Sequence, residues 1–537
     1  MTLASLAELV RDQRGSGSTE PLLTFVEVLA DGTLAAETRS WTDLWSRGQA
    51  LAGWLRARGM QPGDRFAIMM NNHPEFVDAM VAAAMTGTVW VPVDARTMGD
   101  KLQYMLTFTG CVGVVAGDYC TAALADVAGR CPDLRWVLAV GNADDAVSER
   151  LPGFATSAAL PSSTADQPLD PVAPGDAMFM MFTSGTTGNP KAVVQTHGEW
   201  MAYARAGGGV LGLRPGDRLY TGLSLTHINA QGTLRIGLGT NTPVVISRKF
   251  TKSRLWDIVR RFDCTVFSLL GGMIPEMFSI PEKPDDADNP VRLITSSGMP
   301  AELWDAYRKR FGVEIQEGYG STEGGGMLIN PAGVGPVGSI GKPPPTLEAA
   351  VFDENGNRCP PGQPGELRFR PAKGQAKAVA YYRNDDAGHA RIRDGWFLTG
   401  DIVHQDEDGW FYFRHRAGGG VRRNGDFVNT ALVESVISRS GLVADVYVYG
   451  VPTARNVAGE KALVAAIVPD AARPFDEAAL TAWCRDNLER NDVPEIVQIL
   501  TAIPKTASEK PVEREAIALL RESGLIDAYE TVAASPP

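Results

Sequence analysis

An α/β protein is what this sequence predicts: a large N-terminal domain of two αβ-layered subdomains plus a small β-subdomain, followed by a small α+β C-terminal domain. Three observations carry that expectation. Apolar strand-like runs alternate with helix-like amphipathic runs through residues 41–311, the pattern of a mostly parallel sheet covered on both faces. From residue 337 the segments become short and are separated by Gly/Pro turns. After three consecutive glycines, Gly418, Gly419 and Gly420, a compact set of helices and strands closes the chain.

The elements follow in order. Residues 41–60 set Leu44, Leu51 and Leu55 at helical spacing, and the Pro62-Gly63-Asp64 turn leads into a strand, Arg65 to Met70. A helix over 75–86 and a strand over 88–93 repeat the unit. An apolar run at 177–182, a strand over 242–247, a helix over 253–262 and a strand over 264–269 continue it. The turns GSIGKPPP, DENGN, PPGQPGE and DEDGW punctuate the β-rich part. Beyond it the pattern gives a helix at 430–438, strands at 446–450 and 462–467, and helices at 476–489 and 512–522. The main boundary is expected near 415, giving domains 1–415 and 416–537, with the three glycines at 418–420 just past it as either an ordinary flexible turn or a functional segment. At 537 residues the chain exceeds the roughly 250–300 at which a single core stops growing, so several domains are required.

Composition narrows the function. With 51 Lys+Arg against 63 Asp+Glu, the net charge of -12 argues against a general nucleic-acid binder. The six cysteines form no C-x-x-C pair, so a reducing cytoplasm is expected rather than a disulfide framework. No H-E-x-x-H spacing appears, the N-terminus carries Glu8 where a secretory signal needs cations, and no apolar run reaches membrane-spanning length.

The sharpest motif is Thr183-Ser184-Gly185-Thr186-Thr187-Gly188-Asn189-Pro190-Lys191, directly after an apolar run. Glycines let backbone amides approach an anion, hydroxyls add donors, and the lysine adds charge, which is the chemistry of a phosphate cradle. It is not the G-x-x-x-x-G-K-[ST] loop, because Lys191 is followed by Ala192.

This string and four others in the same order resemble the adenylate-forming superfamily of acyl-CoA ligases, peptide-synthetase adenylation domains and luciferases. The others are Gly318 to Glu323, Gly395 to Asp401, Arg416 through Gly425-Asp426, and Pro504-Lys505-Thr506-Ala507-Ser508-Glu509-Lys510. The segment Leu225 to Gln231 is most similar to the crotonobetaine/carnitine-type acyl-CoA ligases. The resemblance implies ATP, Mg²⁺ and coenzyme A, with AMP as product and a carboxylic acid as partner.

It also implies roles. Thr183, Ser184, Gly185, Thr186, Thr187 and Lys191 would cradle phosphates; Tyr319 would stack on adenine; Asp401 and Arg416 would meet the ribose. Ser297, Gly298, Met299, Glu317, Gly318 and Gly320 would complete the nucleotide site. Thr322 would hold the α-phosphate, Glu323 the Mg²⁺, and Lys510 the charge that builds between carboxylate and α-phosphate. His227, with Asn229, Gly272, Met273, Gly298 and Gly324, would shape the acyl pocket, His227 as a gate between acid and thiol. The C-terminal domain would be mobile, bringing Lys510 in for adenylation and the Gly425 loop in for thioester formation.

Several further expectations follow. Peptide-synthetase domains place an aspartate near the positions of Thr226 and His227, which cannot hold a substrate ammonium. Those domains are followed by a Gly-Gly-x-Ser carrier segment that is not expected here, so an amino-acid-loading domain is disfavoured. Glycines at 271, 272, 298 and 324–326, with Met273, Met299 and Met327, suggest a roomy pocket for a bulky acid. Three hinge glycines, where relatives place Asp or Lys at the position of Gly419, suggest a poorly fixed small domain. Glu509 stands where most relatives have glycine, Ala192 replaces another glycine, and Phe427 and Leu432 replace polar residues. Those departures keep a second reading open, in which adenylation is impaired and a partner enzyme supplies acyl-AMP. A non-catalytic nucleotide-binding relative is the third reading, and a homodimer a further expectation.

Overall fold

The computed structural model describes residues 3–15, 19–142, 144–160, 166–183, 190–271, 273–416, 421–423, 426–428, 430–453, 461–488, 490–506 and 509–532. The chain forms two compact units. The first is Met1–Ser268 with Ser321–Gly324 and Ala378–Arg391; the second is Leu269–Gly320, Gly325–Lys377 and Ile392–Pro537. The boundary expected near 415 falls inside the second unit, and the hinge expected at 418–420 lies outside the described residues.

In the first unit a seven-stranded sheet runs in spatial order Ala155–Thr156, Trp136–Val140, Cys111–Gly117, Arg65–Met69, Val89–Val93, Ala177–Thr183 and Lys191–Thr196. Every pairing is parallel except the last. Parallel strands are covered on both faces, which is why their sequences run apolar without alternation: Phe66, Ala67, Ile68 and Met69 are all fully buried. The helices Trp41–Ala57 and Pro74–Thr86 pack together, with Gly48 against Val81 and Met85, and Leu44, Leu51 and Leu55 inward as expected. Ser40 and Asp43 form a capping box that starts the first of these helices.

Other strands of this unit pair Leu23–Val28 parallel to Val244–Ser247, which pairs parallel to Leu219–Thr221. Leu34–Arg39 adds an antiparallel edge. Three expected bounds shift for backbone reasons. Asn241 caps its helix in the left-handed region, so the strand starts at Val244 rather than 242. The helix expected at 253–262 is a 3₁₀ turn, Lys252–Arg254, followed by Leu255–Arg261. Asp263 (φ +50°) then delays the next strand to Val266–Leu270.

In the second unit Leu293–Ser297 and Glu314–Gly320 are parallel, joined through the helix Ala301–Phe311, and Met327–Asn330 pairs antiparallel to the latter. The β-rich part is an antiparallel sheet ordered Leu347–Phe352, Gly365–Pro371, Trp396–Gln405, Ile392–Arg393, with Phe411–Arg416 also on Trp396–Gln405. The closing α+β part pairs Val443–Val451 antiparallel to Ala462–Pro469, which is parallel to Ile496–Ile499. Val433, Ile437 and Leu480 pack on one side of it, and Ala516 and Leu520 on the other. The strand Ile496–Ile499 and the helix Leu525–Val532 were not among the expected elements; four residues are too few for a periodicity to register.

Arg39 ties the edge strand to the helix Pro74–Thr86. Its Nε and Nη2 donate to Asp78 at 3.1–3.2 Å, with both side chains buried. Replacing Arg39 with Met strands the Asp78 carboxylate and should cost about 3–5 kcal/mol in denaturant unfolding. The Arg39→Met/Asp78→Leu pair should recover most of that loss.

Candidate active site

The first unit brings together the positively charged end of the phosphate motif and the expected metal ligand. Ala177–Thr183 and Lys191–Thr196 pair antiparallel through Thr183 and Lys191, and the Thr183 hydroxyl donates to the Lys191 carbonyl at 3.5 Å. Ser184, Gly185, Thr186 and Thr187 lie outside the described residues. Tyr381, which the sequence did not single out, stands at the centre. Its segment runs beside Lys191–Thr196: Val194 donates to the Ala380 carbonyl and Tyr382 to that of Ala192. The Lys191 ammonium lies 5.2 Å from the Tyr381 ring, a cation–π distance, and the Tyr381 hydroxyl donates to Glu323 Oε1 at 3.2 Å. Gln195 Nε2 donates to the Thr322 carbonyl at 3.4 Å. Burial, then the Glu323 carboxylate, raise the Tyr381 pKa, so the hydroxyl remains a donor.

Among the described residues no three His, Cys, Asp or Glu side chains gather as a metal centre. A single carboxylate, Glu323, fits Mg²⁺, which is commonly held by one or two carboxylates together with substrate phosphates.

His227 is also set by neighbours the sequence did not flag. It is the residue before the helix Ile228–Thr240, at the end of a loop clamped from two sides. Buried Asn72 donates through Nδ2 to the carbonyls of Leu223 (2.9 Å) and Ser247 (2.8 Å) and accepts from the Leu225 amide (2.8 Å). Gln231 Nε2 donates to the Leu225 carbonyl at 2.7 Å. Asn229 accepts from the Ser268 hydroxyl at 3.0 Å.

In the second unit three expected nucleoside ligands meet. Tyr319 donates to Asp401 Oδ2 at 2.5 Å, and Arg416 Nε lies 3.7 Å from Asp401 Oδ1. Asp401 and Arg416 face each other across the antiparallel strands Trp396–Gln405 and Phe411–Arg416. The Tyr319 ring stacks on Phe369, 6.0 Å between centroids. A carboxylate and a guanidinium beside an aromatic ring offer what ribose hydroxyls and a base require. Glu317 is 2% exposed, and its carboxylate is taken up by the amides of Gly298 and Met299. Ser297 Oγ donates to the Gly318 carbonyl at 2.6 Å. Glu317 and Ser297 therefore shape the turn 297–299 beside Gly318-Tyr319-Gly320.

The sequence pattern of the AMP-binding enzymes matches residues 26–378, and that of the AMP-binding enzyme C-terminal domain matches residues 432–510. The chain belongs to the AMP-binding enzyme family. It is 28% identical over 475 residues to a crotonobetaine/carnitine–CoA ligase of Salmonella paratyphi A, covering 86% of this chain and 90% of that one. It is 30% identical over 509 residues to a steroid-22-oyl-CoA synthetase of Rhodococcus jostii, covering 90% and 88%. The solved anthranilate CoA ligase AuaEII, in complex with anthranoyl-AMP, shares the fold: TM-score 0.80, 20% identity, 100% and 99% covered. This AMP-binding enzyme is an ATP-dependent acid–thiol ligase.

In this enzyme four of these glycines, Gly271, Gly298, Gly325 and Gly326, do not open a pocket, which corrects the expectation drawn from them. A Cβ on Gly271 would stand 3.2 Å from the Gly298 carbonyl, and Gly298 (φ +98°) meets the Gly271 Cα in return. The Phe397 and Phe369 rings lie where side chains on Gly325 and Gly326 would be. These residues are small because neighbours fill the space. Only Gly324 has open space around it, and Gly272 lies outside the described residues. Met273 and Met299 are buried.

The departures at Ala192 and Glu509 differ in kind. Ala192 sits buried in an extended strand opposite Phe182, so nothing there needs glycine. Glu509 has φ +57°, the left-handed backbone that glycine adopts without cost. It closes the turn that presents Lys510: Glu509 donates to the Thr506 carbonyl at 3.0 Å, and Thr506 to the Lys510 carbonyl at 2.8 Å. Gly425 lies outside the described residues, as do the Phe427 and Leu432 side chains.

Two outcomes follow. Glu509→Gly should relieve the left-handed strain and raise stability by roughly 1 kcal/mol in denaturant unfolding, with pyrophosphate exchange preserved or improved. Burial lifts Glu317 to about 7, so the folded enzyme holds that proton more tightly than the unfolded chain, whose carboxyl titrates near 4.5. Stability should therefore rise as the pH falls from 8 toward 5, by up to about 3 kcal/mol from this group. Half-buried Glu434, raised to about 8 by desolvation, acts with the same sign. Glu317→Gln should flatten the slope of unfolding free energy against pH without abolishing it.

Proposed function

We propose that this enzyme joins a bulky, largely apolar carboxylic acid to coenzyme A through an acyl-adenylate, in a reducing cytoplasm. A carboxylate oxygen attacks the α-phosphorus of ATP; the bond to the β-phosphate oxygen breaks and pyrophosphate leaves. The thiol sulfur of coenzyme A then attacks the acyl carbonyl, the carbon–oxygen bond to AMP breaks, and the thiol gives up its proton. AMP is a far better leaving group than hydroxide, which is why the acid is adenylated first.

The observation that carries this reading is the Tyr319–Asp401–Arg416 group, whose donors and acceptors match a nucleoside. Lys191 contributes positive charge toward phosphates, and Glu323, oriented by Tyr381, would hold Mg²⁺, which when bound neutralises charge on the phosphates. Lys510 would stabilise the charge that develops between carboxylate and α-phosphate. Residues 416–537, turning about 418–420, would exchange Lys510 for the Gly425 loop between the two steps. His227 would stand between acid and thiol. For the acid, support comes from the relative named for a steroid-22-oyl acid and from the adaptable methionines Met273 and Met299.

The test is acyl-CoA formation, followed by mass spectrometry, across acetate, decanoate, benzoate and a steroid carboxylic acid. Turnover should rise toward the larger acids; a steady rise toward acetate would overturn the bulky-acid assignment. With the best acid, Lys510→Ala should lower pyrophosphate exchange by about 10²–10³. Thioester formation only from preformed acyl-AMP would favour the reading in which another enzyme supplies the adenylate.

A further inference from the structure

The turn that carries Lys510 is fastened at its base by a lysine with no role so far. Lys505 lies five residues before Lys510 and opposite Pro511 in an isolated antiparallel bridge, and Val512 donates to the Pro504 carbonyl at 2.8 Å. Its side chain is only 14% exposed, and its ammonium makes two ion pairs: 2.5 Å to Glu276 Oε1 and 2.7 Å to Asp445 Oδ2. The partners belong to different parts of the second unit. Asp445 is on the strand Val443–Val451, within the same closing α+β part as Lys505. Glu276 is on the short helix Met273–Phe278, which begins two residues after Gly271. Gly271 donates to the Ser297 carbonyl, next to the turn that Glu317 holds. The helix Thr430–Ser438 also lies against Met273–Phe278, so the closing part meets that short helix at two places.

We propose that Lys505 is a positioning residue for adenylation. Its pair with Glu276 holds the Lys510 turn against the helix that follows the pocket residues. Asp445 keeps the ammonium paired within its own part, whereas Glu276 joins it to the other. A charge pair suits this task because, once partly buried, it is costly to leave half-made. The role rests on the activity proposed above, and specifically on Lys510 serving the first half-reaction only. An ion pair that merely stabilised the fold would affect both half-reactions alike.

Glu276→Gln is the most informative variant, because Asp445 still pairs Lys505 and no buried cation is orphaned. Lys505→Met removes both arms, and Lys505→Arg keeps the charge. Pyrophosphate exchange with MgATP is measured using whichever of decanoate, benzoate or the steroid acid is most active. Thioester formation is measured from the preformed adenylate of the same acid with coenzyme A. Exchange should fall about 10- to 100-fold in Glu276→Gln and Lys505→Met, as displacement of a reacting group by about 1 Å produces. Thioester formation should stay within about twofold, and Lys505→Arg should recover most of the exchange. Equal losses in both half-reactions, or no loss in exchange, would overturn the positioning role while leaving the activity intact. A wild-type enzyme that exchanges pyrophosphate with none of the acids would instead overturn the activity, and the role with it. If Lys505→Met fails to fold, Glu276→Gln and Glu276→Ala decide the matter alone.

Discussion

A parallel sheet must be covered on both faces, and that constraint decides where this enzyme can do chemistry. The faces of Arg65–Met69 and Val89–Val93 are wholly packed, so functional groups can leave the first unit only at strand ends. There the backbone polar groups lose their ladder partners and side chains must replace them. Asn72 is such a replacement: one planar amide with two donors and an acceptor serves Leu223, Ser247 and Leu225 together. Aspartate lacks those donors and glutamine is a methylene longer. The loop that ends at His227 thus inherits its shape from the termini of strands that have no catalytic part.

Charged side chains are handled differently in the two units. In the first, Lys191 and Glu323 share Tyr381, whose ring faces the cation while its hydroxyl faces the carboxylate. One neutral side chain thus contacts both charges. In the second, Asp401 receives Tyr319 and neighbours Arg416, while Glu317 is spent on backbone amides and raised toward 7 by its burial. Carboxylates that look alike in sequence therefore differ in what they face: Glu317 meets backbone amides, whereas Glu323 and Asp401 each meet a tyrosine hydroxyl.

The glycines and the lysines mark how far local sequence reaches. Glycine is ambiguous in a sequence because it serves left-handed backbone, close approach and open space equally. Gly271 and Gly298 are a case of mutual approach, and Gly325 and Gly326 make room for aromatic rings. Lys505 and Lys510 stand five residues apart in one motif, yet one is partly buried between two carboxylates and the other is exposed. Nothing in their immediate sequence distinguishes them, because Glu276 is more than two hundred residues away.

The sequence by itself determined the alternation of apolar and amphipathic runs, hence the layered α/β class. It also determined the ordered motifs that contain Lys191, Glu323, Asp401, Arg416 and Lys510. Both depend on neighbours within a few residues, where period, turn chemistry and side-chain type act directly. The tertiary structure alone decided which partners those residues have: Tyr381 beside Glu323, Asn72 under the His227 loop, Asp401 on a strand facing Arg416, Glu276 on Lys505. All but the Asp401–Arg416 pairing, which lies across two consecutive antiparallel strands, join segments far apart in the chain. Their existence depends on sheet order and crossover connections, which residue spacing leaves unspecified.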